Sequence, residues 1–535
     1  MLVGYVSDEM YFAVPEVLVE FIRGEESVQT YSRASGAVHA DIAPGEYDVV
    51  LQRTGYGAKR VQMKVEPGAL YQFRLLSERL YGYARPKYSR PGEVAQVCVH
   101  SKEPYFLELW RYGWQKECVR QLGYFEDHPR GANRQVLPDG DFTQTGARWN
   151  DFGYSFPPAA RQTATAPERS GLYYFHVRTQ SGDFFSFPWV IAPARPTAPI
   201  AVLASNMNWN AYNDFGGRSN YIAAIHLPST PTVNPHQEKV WFRSTGADYW
   251  SVENYDPLSF DRPEIINHVG EHEQITDPIV RRGAEHVAPA EWRLLGWLER
   301  EKFSYDFYSE TQLHFGALDL DQYRVLILST HPEYWTREMY LRVKTWVFEQ
   351  GGKLMYLGGN GINCEVELPD ERTMVVRNGD VSEARAKLAF RGEGAKFPSR
   401  FGRRFEEESN LLGVVTTLTG MATGAPYCVA DAAHWVFEGT GLQNGDLFGK
   451  KSLNMRCPGG ASGHETDKIS EHSPPGIHLL AKGTNPNEGG AELVHFETPS
   501  GGQVFSVGSI CYPAAIVIDE QISRITANVL NRFLK

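Results

Sequence analysis

The sequence predicts a multidomain chain in which N-terminal β-sandwich domains precede an α/β doubly wound domain with added strands. Three observations carry this. Residues 1–195 are a succession of short runs alternating apolar and polar residues between Gly- and Pro-bearing turns, the pattern of antiparallel sheets. A proline-rich stretch, Ala192-Pro-Ala-Arg-Pro-Thr-Ala-Pro199, then marks a change of pattern. Beyond it, unbroken apolar runs alternate with amphipathic stretches, the βαβ order that builds a parallel sheet.

In the opening part, Pro44-Gly-Glu-Tyr-Asp-Val-Val-Leu51 and Ala58-Lys-Arg-Val-Gln-Met-Lys-Val65 flank Thr54-Gly-Tyr-Gly57, which predicts a β-hairpin. Residues 1–76 are therefore expected to form a small sandwich, similar to the transthyretin-like accessory domains of many enzymes. Residues 78–195 are expected to form a second sandwich of immunoglobulin type. Gln96-Val-Cys-Val99, Tyr105-Phe-Leu-Glu-Leu-Trp110 and Gly171-Leu-Tyr-Tyr-Phe-His-Val177 supply its strands. Its insert, residues 127–158, has no clear period and is read as either functional or mobile.

Residues 198–535 are expected to form the α/β domain, flavodoxin-like or glutamine-amidotransferase-like in type. Ile200-Ala-Val-Leu-Ala204 reads as a buried strand, residues 290–300 as an amphipathic helix and Tyr305-Asp-Phe-Tyr308 as the next strand. The run Val325-Leu-Ile-Leu-Ser-Thr-His-Pro-Glu-Tyr-Trp335 is apolar until it stops abruptly at polar residues. A helix over 336–350 and the strand Lys353-Leu-Met-Tyr-Leu357 follow. The hairpin Leu493-Val-His-Phe-Glu-Thr-Pro-Ser-Gly-Gly-Gln-Val-Phe-Ser-Val507 and a helix over 519–533 complete the pattern.

Composition limits the function. With 535 residues, 42% of them hydrophobic, the chain can bury several cores. A net charge of −11 and a pI near 5.9 argue against a nucleic-acid surface, which needs a basic face. The N-terminus lacks the pattern of a secretory signal and no apolar run is long enough to cross a bilayer. The six cysteines form no CxxC pair, which fits reduced thiols, and a cytoplasmic location is expected.

Parallel strands bring their carboxyl ends together, and open α/β sheets bind ligands there. The polar residues after the three central strands therefore define a candidate crevice supplied by Tyr212, His331, Glu333 and Asn360. Tyrosine and asparagine near strand ends also serve as turn and packing residues, so the weight rests on the four together. No Cys or Ser nucleophile stands at these ends, so a nucleophilic hydrolase or glutamine amidotransferase would lack its central residue. Metal-assisted chemistry remains.

Several stretches resemble the large subunit of N,N-dimethylformamidase. They are Asn210-Ala-Tyr-Asn213, His331-Pro-Glu-Tyr-Trp335, Gly351-Gly-Lys-Leu-Met-Tyr-Leu-Gly-Gly-Asn-Gly361, Gly463-His-Glu-Thr-Asp467 and Phe496-Glu-Thr-Pro-Ser-Gly-Gly-Gln-Val-Phe-Ser-Val-Gly-Ser-Ile510. The resemblance spans 198–535. It implies a mononuclear Fe(III) site held by Tyr212, Glu333 and a second tyrosine, which is Tyr255 by its place between the other ligands, with Tyr249 as the alternative. His331, Asn360 and Glu465 would surround the metal. The expected reaction is hydrolysis of a small amide, with Glu465, or His464 beside it, handling the proton, and His331 and Asn360 donating to the growing oxyanion. The expected partners are the amide substrate and further copies of the chain, with the family's small companion subunit left open. Neither nucleic acid nor membrane is expected. Two rival readings stand beside this one. Sandwiches and 13% aromatic residues suggest a carbohydrate-binding or carbohydrate-active protein, and a member without the second tyrosine would be non-catalytic.

Overall fold

A computed structural model of the chain describes residues 1–8, 12–75, 77, 79–101, 103–126, 162–213, 215, 230–233, 257–279, 284–377, 400–417, 419–420 and 422–535. The fold is strand-rich, mostly sheets with few helices. The insert at 127–158, Tyr249 and Tyr255 lie outside the described residues.

The hairpin expected near the N-terminus is present as Gly45–Arg53 paired antiparallel with Gly57–Val65. These strands belong to a 4-stranded sheet that faces a 3-stranded one. Phe21, Val49 and Leu51 of the first sheet pack with Val6, Val38 and Phe73 of the second in one apolar cluster, a β-sandwich. A second sandwich follows. A 3-stranded sheet containing Val94–His100 packs on a 5-stranded sheet built around Tyr105–Tyr112, Gly171–Thr179 and Phe184–Ile191. Val97 and Val99 meet Leu107, Leu109, Phe175 and Trp189 between them.

The largest sheet has 9 strands. At one end Tyr305–Ser309, Ile200–Ala204, Val325–Thr330, Lys353–Gly358 and Gln503–Ser506 lie side by side and run parallel. Glu492–Glu497 and His478–Gly483 continue the sheet antiparallel. Strand residues alternate between two cores. Val202, Ile327 and Met355 pack with the helices Ala288–Arg300 and Glu520–Phe533. Leu203, Leu328 and Leu354 pack with Arg337–Phe348 on the other side.

The stretch after the first parallel strand is a helix, Asn206–Tyr212, where the sequence shows only a polar strand end. Asparagine is a poor helix former, so propensity gives no signal here. Two buried carboxylates hold the helix instead. Glu291 Oε1 accepts from Ser205 N at 3.0 Å and Trp209 Nε1 at 2.8 Å. Glu310 Oε2 accepts from Met207 N at 3.0 Å, and its Oε1 accepts from Trp335 Nε1 at 2.9 Å. A helix's first N–H groups lack partners within the helix, and Glu310 takes one of them.

The second sandwich meets the parallel sheet along the helix Ala288–Arg300. Trp292 Nε1 donates to Gly113 O at 2.7 Å, and Glu299 accepts from Trp114 N at 2.9 Å, from Arg169 at 3.1 Å and from Arg111. Gly296 permits this approach, since a Cβ there would lie 2.0 Å from Ile275 Cδ1 and 3.1 Å from Gly113 O. All six cysteines are free thiols, with Cys98, Cys364, Cys457 and Cys511 buried. Among the described residues no helix is long and apolar enough to cross a membrane.

Candidate functional site

The parallel register places the ends of Ile200–Ala204, Val325–Thr330 and Lys353–Gly358 next to one another, and the candidate residues meet there. Tyr212, at the end of its helix, donates its hydroxyl to Glu333 Oε2 at 3.0 Å. His331 Nε2 lies 3.4 Å from Glu333 Oε2 and 3.1 Å from Glu465 Oε2, so a proton on that nitrogen stands between two carboxylates. Asn360 Nδ2 donates to Glu465 Oε2 at 2.7 Å. Tyr212, Glu333, His331, Glu465 and Asn360 thus form one continuous chain of polar contacts, and the His331 and Glu333 side chains are each only 1% exposed.

Four left-handed residues shape this point. Thr330 (φ 53°), Asn360 (φ 52°), Ile362 (φ 54°) and His464 (φ 73°) adopt a conformation that non-glycine residues rarely take. Such backbone persists where the surroundings enforce it, and it clusters at functional sites. The turns aim His331, Asn360 and Glu465 toward one another. Gly359 is required for the approach, because a Cβ there would sit 2.7 Å from both Glu465 O and Ile510 N.

The Glu465 loop is held by a short antiparallel pair, Val415–Thr417 with Thr466–Lys468, which sets Thr416 opposite Asp467. Asp467 Oδ1 accepts from Asn360 N at 2.9 Å, and its Oδ2 accepts from Tyr356 at 2.7 Å. Burial pushes the Asp467 carboxyl up to about 6, against the hydrogen bonds that favour its charge. Burial also pushes Glu465 up, but the hydrogen bond and charge of His331, with the charges of His464 and Arg456, outweigh it and hold the carboxyl below its ordinary value. Glu465 is therefore a carboxylate at neutral pH.

His286 also belongs to the site. Its ring lies 4.4 Å from Tyr212, 5.1 Å from His331 and 5.2 Å from His464, centroid to centroid. His286 comes from a single turn, Ala284–His286, that shows no periodic signal in sequence. Asp467 and Thr416 are equally silent, being placed by strand pairing. His464 is buried beside His286, and its neighbour Glu465 makes polar contacts with Asn360 and His331.

The described donors suit a hard metal ion. Among the described residues no group of three or more His, Cys, Asp or Glu side chains is drawn together to hold a metal. What does meet is a phenol and a carboxylate, oxygen donors of the kind a trivalent ion prefers, already within 3.0 Å of each other. The third expected donor lies outside the described residues.

Fold and site together define a β-rich protein with a buried acid–imidazole–amide cluster at the carboxyl ends of parallel strands. A family model described as N,N-dimethylformamidase beta subunit-like, C-terminal, matches residues 107–523, and the chain belongs to that family. The N,N-dimethylformamidase beta subunit of an Alcaligenes species is 26% identical over 446 residues, which cover 72% of this chain and 54% of that protein. The beta subunit from Paracoccus aminophilus is 26% identical over 425 residues, covering 69% and 53%. The chain thus spans about half the length of these relatives. A solved structure of a putative carbohydrate binding protein from Bacteroides uniformis overlaps 34% of this chain and 88% of its own, at 14% identity. Its TM-score of 0.14 carries no argument about fold or ligand.

Proposed function

We propose that the chain is an amidohydrolase that converts a small N-substituted amide, such as N,N-dimethylformamide, to amine and formate. Its cofactor on this reading is a mononuclear Fe(III), held by Tyr212, Glu333 and Tyr255, or by Tyr249 in that last place. The observation that carries the reading is the continuous polar chain from Tyr212 through Glu333, His331 and Glu465 to Asn360. Membership of the family supports it.

Bound ferric iron would supply Lewis acidity to the amide carbonyl. The remaining work falls to the chain itself. Glu465, a carboxylate, takes a proton from the attacking water as its oxygen bonds to the carbonyl carbon. His331 and Asn360 present N–H donors where the carbonyl oxygen gains charge. The C–N bond then breaks, the amine leaves with the proton that Glu465 took, and formic acid remains, which gives its own proton to the amine and becomes formate. Burial of His331 and Glu333 keeps bulk water away from these donors, which strengthens them.

The fold is read in the same frame. Two sandwich domains over 1–76 and 78–195 precede a doubly wound α/β domain over 198–535. The parallel strands with helices packed on both faces support the last of these. The relatives are named beta subunits, which supports a companion subunit, and the chain is also proposed to self-associate. Six free thiols support a cytoplasmic location.

Metal analysis with a visible spectrum tests the proposal. The purified protein should contain iron and show a phenolate-to-iron charge-transfer band, and Tyr212→Phe should bleach or shift it. Wild-type protein should release formate from N,N-dimethylformamide. A colourless, iron-free preparation that hydrolyses formamides at full rate would overturn the metal assignment.

A further inference from the structure

Asn360 can act as a donor only if its NH2, and not its carbonyl oxygen, faces Glu465 and His331. An amide side chain has nearly the same shape in either sense, so its neighbours must choose. The carboxylate of Glu465 only accepts, and it lies 2.7 Å from Asn360 Nδ2. That contact fixes the sense of the amide while Glu465 stays in place. It cannot serve as a lasting lock, because Glu465 is the group that must take and release a proton.

The other end of the amide carries the second constraint. Thr416 Oγ1 lies 2.7 Å from Asn360 Oδ1 and 3.1 Å from Asp467 Oδ1. With Nδ2 turned to Glu465, the amide oxygen faces Thr416 and only accepts, so Thr416 donates its one proton across the 2.7 Å contact, with Asp467 Oδ1 the more distant acceptor at 3.1 Å. Asp467 holds the same residue by its backbone, accepting from Asn360 N at 2.9 Å. Tyr356 completes the frame, donating to Asp467 while accepting from Gly361 N at 2.6 Å. With the main chain fixed, the orientation of the side chain rests on Glu465 and Thr416, with His331 Nε2 3.3 Å from Nδ2 beside them.

We propose that Thr416 is a positioning residue that holds the Asn360 amide with its NH2 toward Glu465 and His331. The inference rests on the hydrolytic reading of the site for its effect on rate, but not for its geometry. Thr416 comes from the strand Val415–Thr417, paired with the strand that follows Glu465, so the lock and the base share one support. Glu465 holds the amide at Nδ2 and Thr416 holds it at Oδ1, so the loss of either contact leaves the side chain tethered at one end only.

Thr416→Val removes the hydroxyl at nearly constant shape in a strand that favours β-branched residues, and Thr416→Ser restores the donor. With the iron-loaded chain and N,N-dimethylformamide, kcat should fall about tenfold or more in the Val variant with KM within about twofold, because the loss appears only as charge develops. The Ser variant should recover most of the rate. A neutron crystal structure of the Val variant, which tells the amide oxygen from the nitrogen, should show the Asn360 amide turned or split between two orientations. Unchanged kcat in Thr416→Val, equal losses in the Val and Ser variants, or an Asn360 amide that stays in place without the hydroxyl would each overturn the proposal. If wild type turns over no amide, the hydrolytic reading fails, and the Asn360 orientation in the Val variant alone decides the role of Thr416.

Discussion

Glu465 and Glu333 both touch His331, yet their surroundings differ. Glu465 is 12% exposed and takes a hydrogen bond from Asn360, while Glu333 is 1% exposed and takes one from Tyr212. Glu465→Gln keeps the size and the contact with Asn360 but removes the basic group. On the proposed function, kcat should drop by about 100- to 10,000-fold while iron content and the visible band persist, the usual contribution of a positioned acid–base group. Glu333→Gln removes an anionic donor and should instead give protein that fails to retain iron through dialysis, checked by metal analysis. If Glu465→Gln keeps near-normal kcat, the proton passes through His464 or His331, and those are the next residues to replace.

The helix Asn206–Tyr212 shows how an element without sequence signal is made. Its N-terminal groups and Trp209 are held by two carboxyls, and burial pushes Glu291 up to about 8, against the hydrogen bonds from Trp209 and Ser205. The folded value lies above the ordinary glutamate value of about 4.5, so this carboxyl favours the folded state most below about pH 4.5 and loses that contribution as pH rises toward 8. Glu291→Gln keeps an acceptor for both donors without the ionisation. Thermal midpoints measured from pH 5 to 8 should fall less in the Gln variant than in wild type; an identical slope would show that Glu291 titrates normally. The same helix marks the limit of sequence reading. Val325–Thr330 and Lys353–Gly358 were legible because buried parallel strands are apolar runs that end at polar residues. Tyr212, His331, Glu333 and Asn360 followed from those ends. The helical state of 206–212 did not, because tertiary hydrogen bonds override a poor propensity. Nor did His286, Thr416 or Asp467, each brought in by pairings between segments far apart in the chain. The family resemblance supplied Glu465, whose loop has no period of its own.

At the scale of the molecule, the ionic seam at Glu299 joins the second sandwich to the parallel sheet. The side chains of Arg111 and Glu299 are 5% and 19% exposed, so the pair lies between a surface and a buried one. Glu299→Gln should lower stability by about 1–3 kcal/mol, mostly by leaving Arg111 without its counter-charge. Pairing it with Arg111→Met should recover part of that loss in a double-mutant cycle, whereas strictly additive losses would show no coupling across the seam. The apolar side of the same seam goes further. Tyr112, Leu172, Tyr174 and Val190 of the sandwich share one core with Trp292, Leu295 and Val529 of the helices that cover the parallel sheet. Cutting the gene at the proline-rich stretch would strip Tyr112, Leu172, Tyr174 and Val190 from that core and leave an oily face on each fragment. The portion that can be exchanged between proteins as a working module must therefore carry the sandwich with it. The family match begins at residue 107, inside the strand Tyr105–Tyr112 that delivers the first of those core residues.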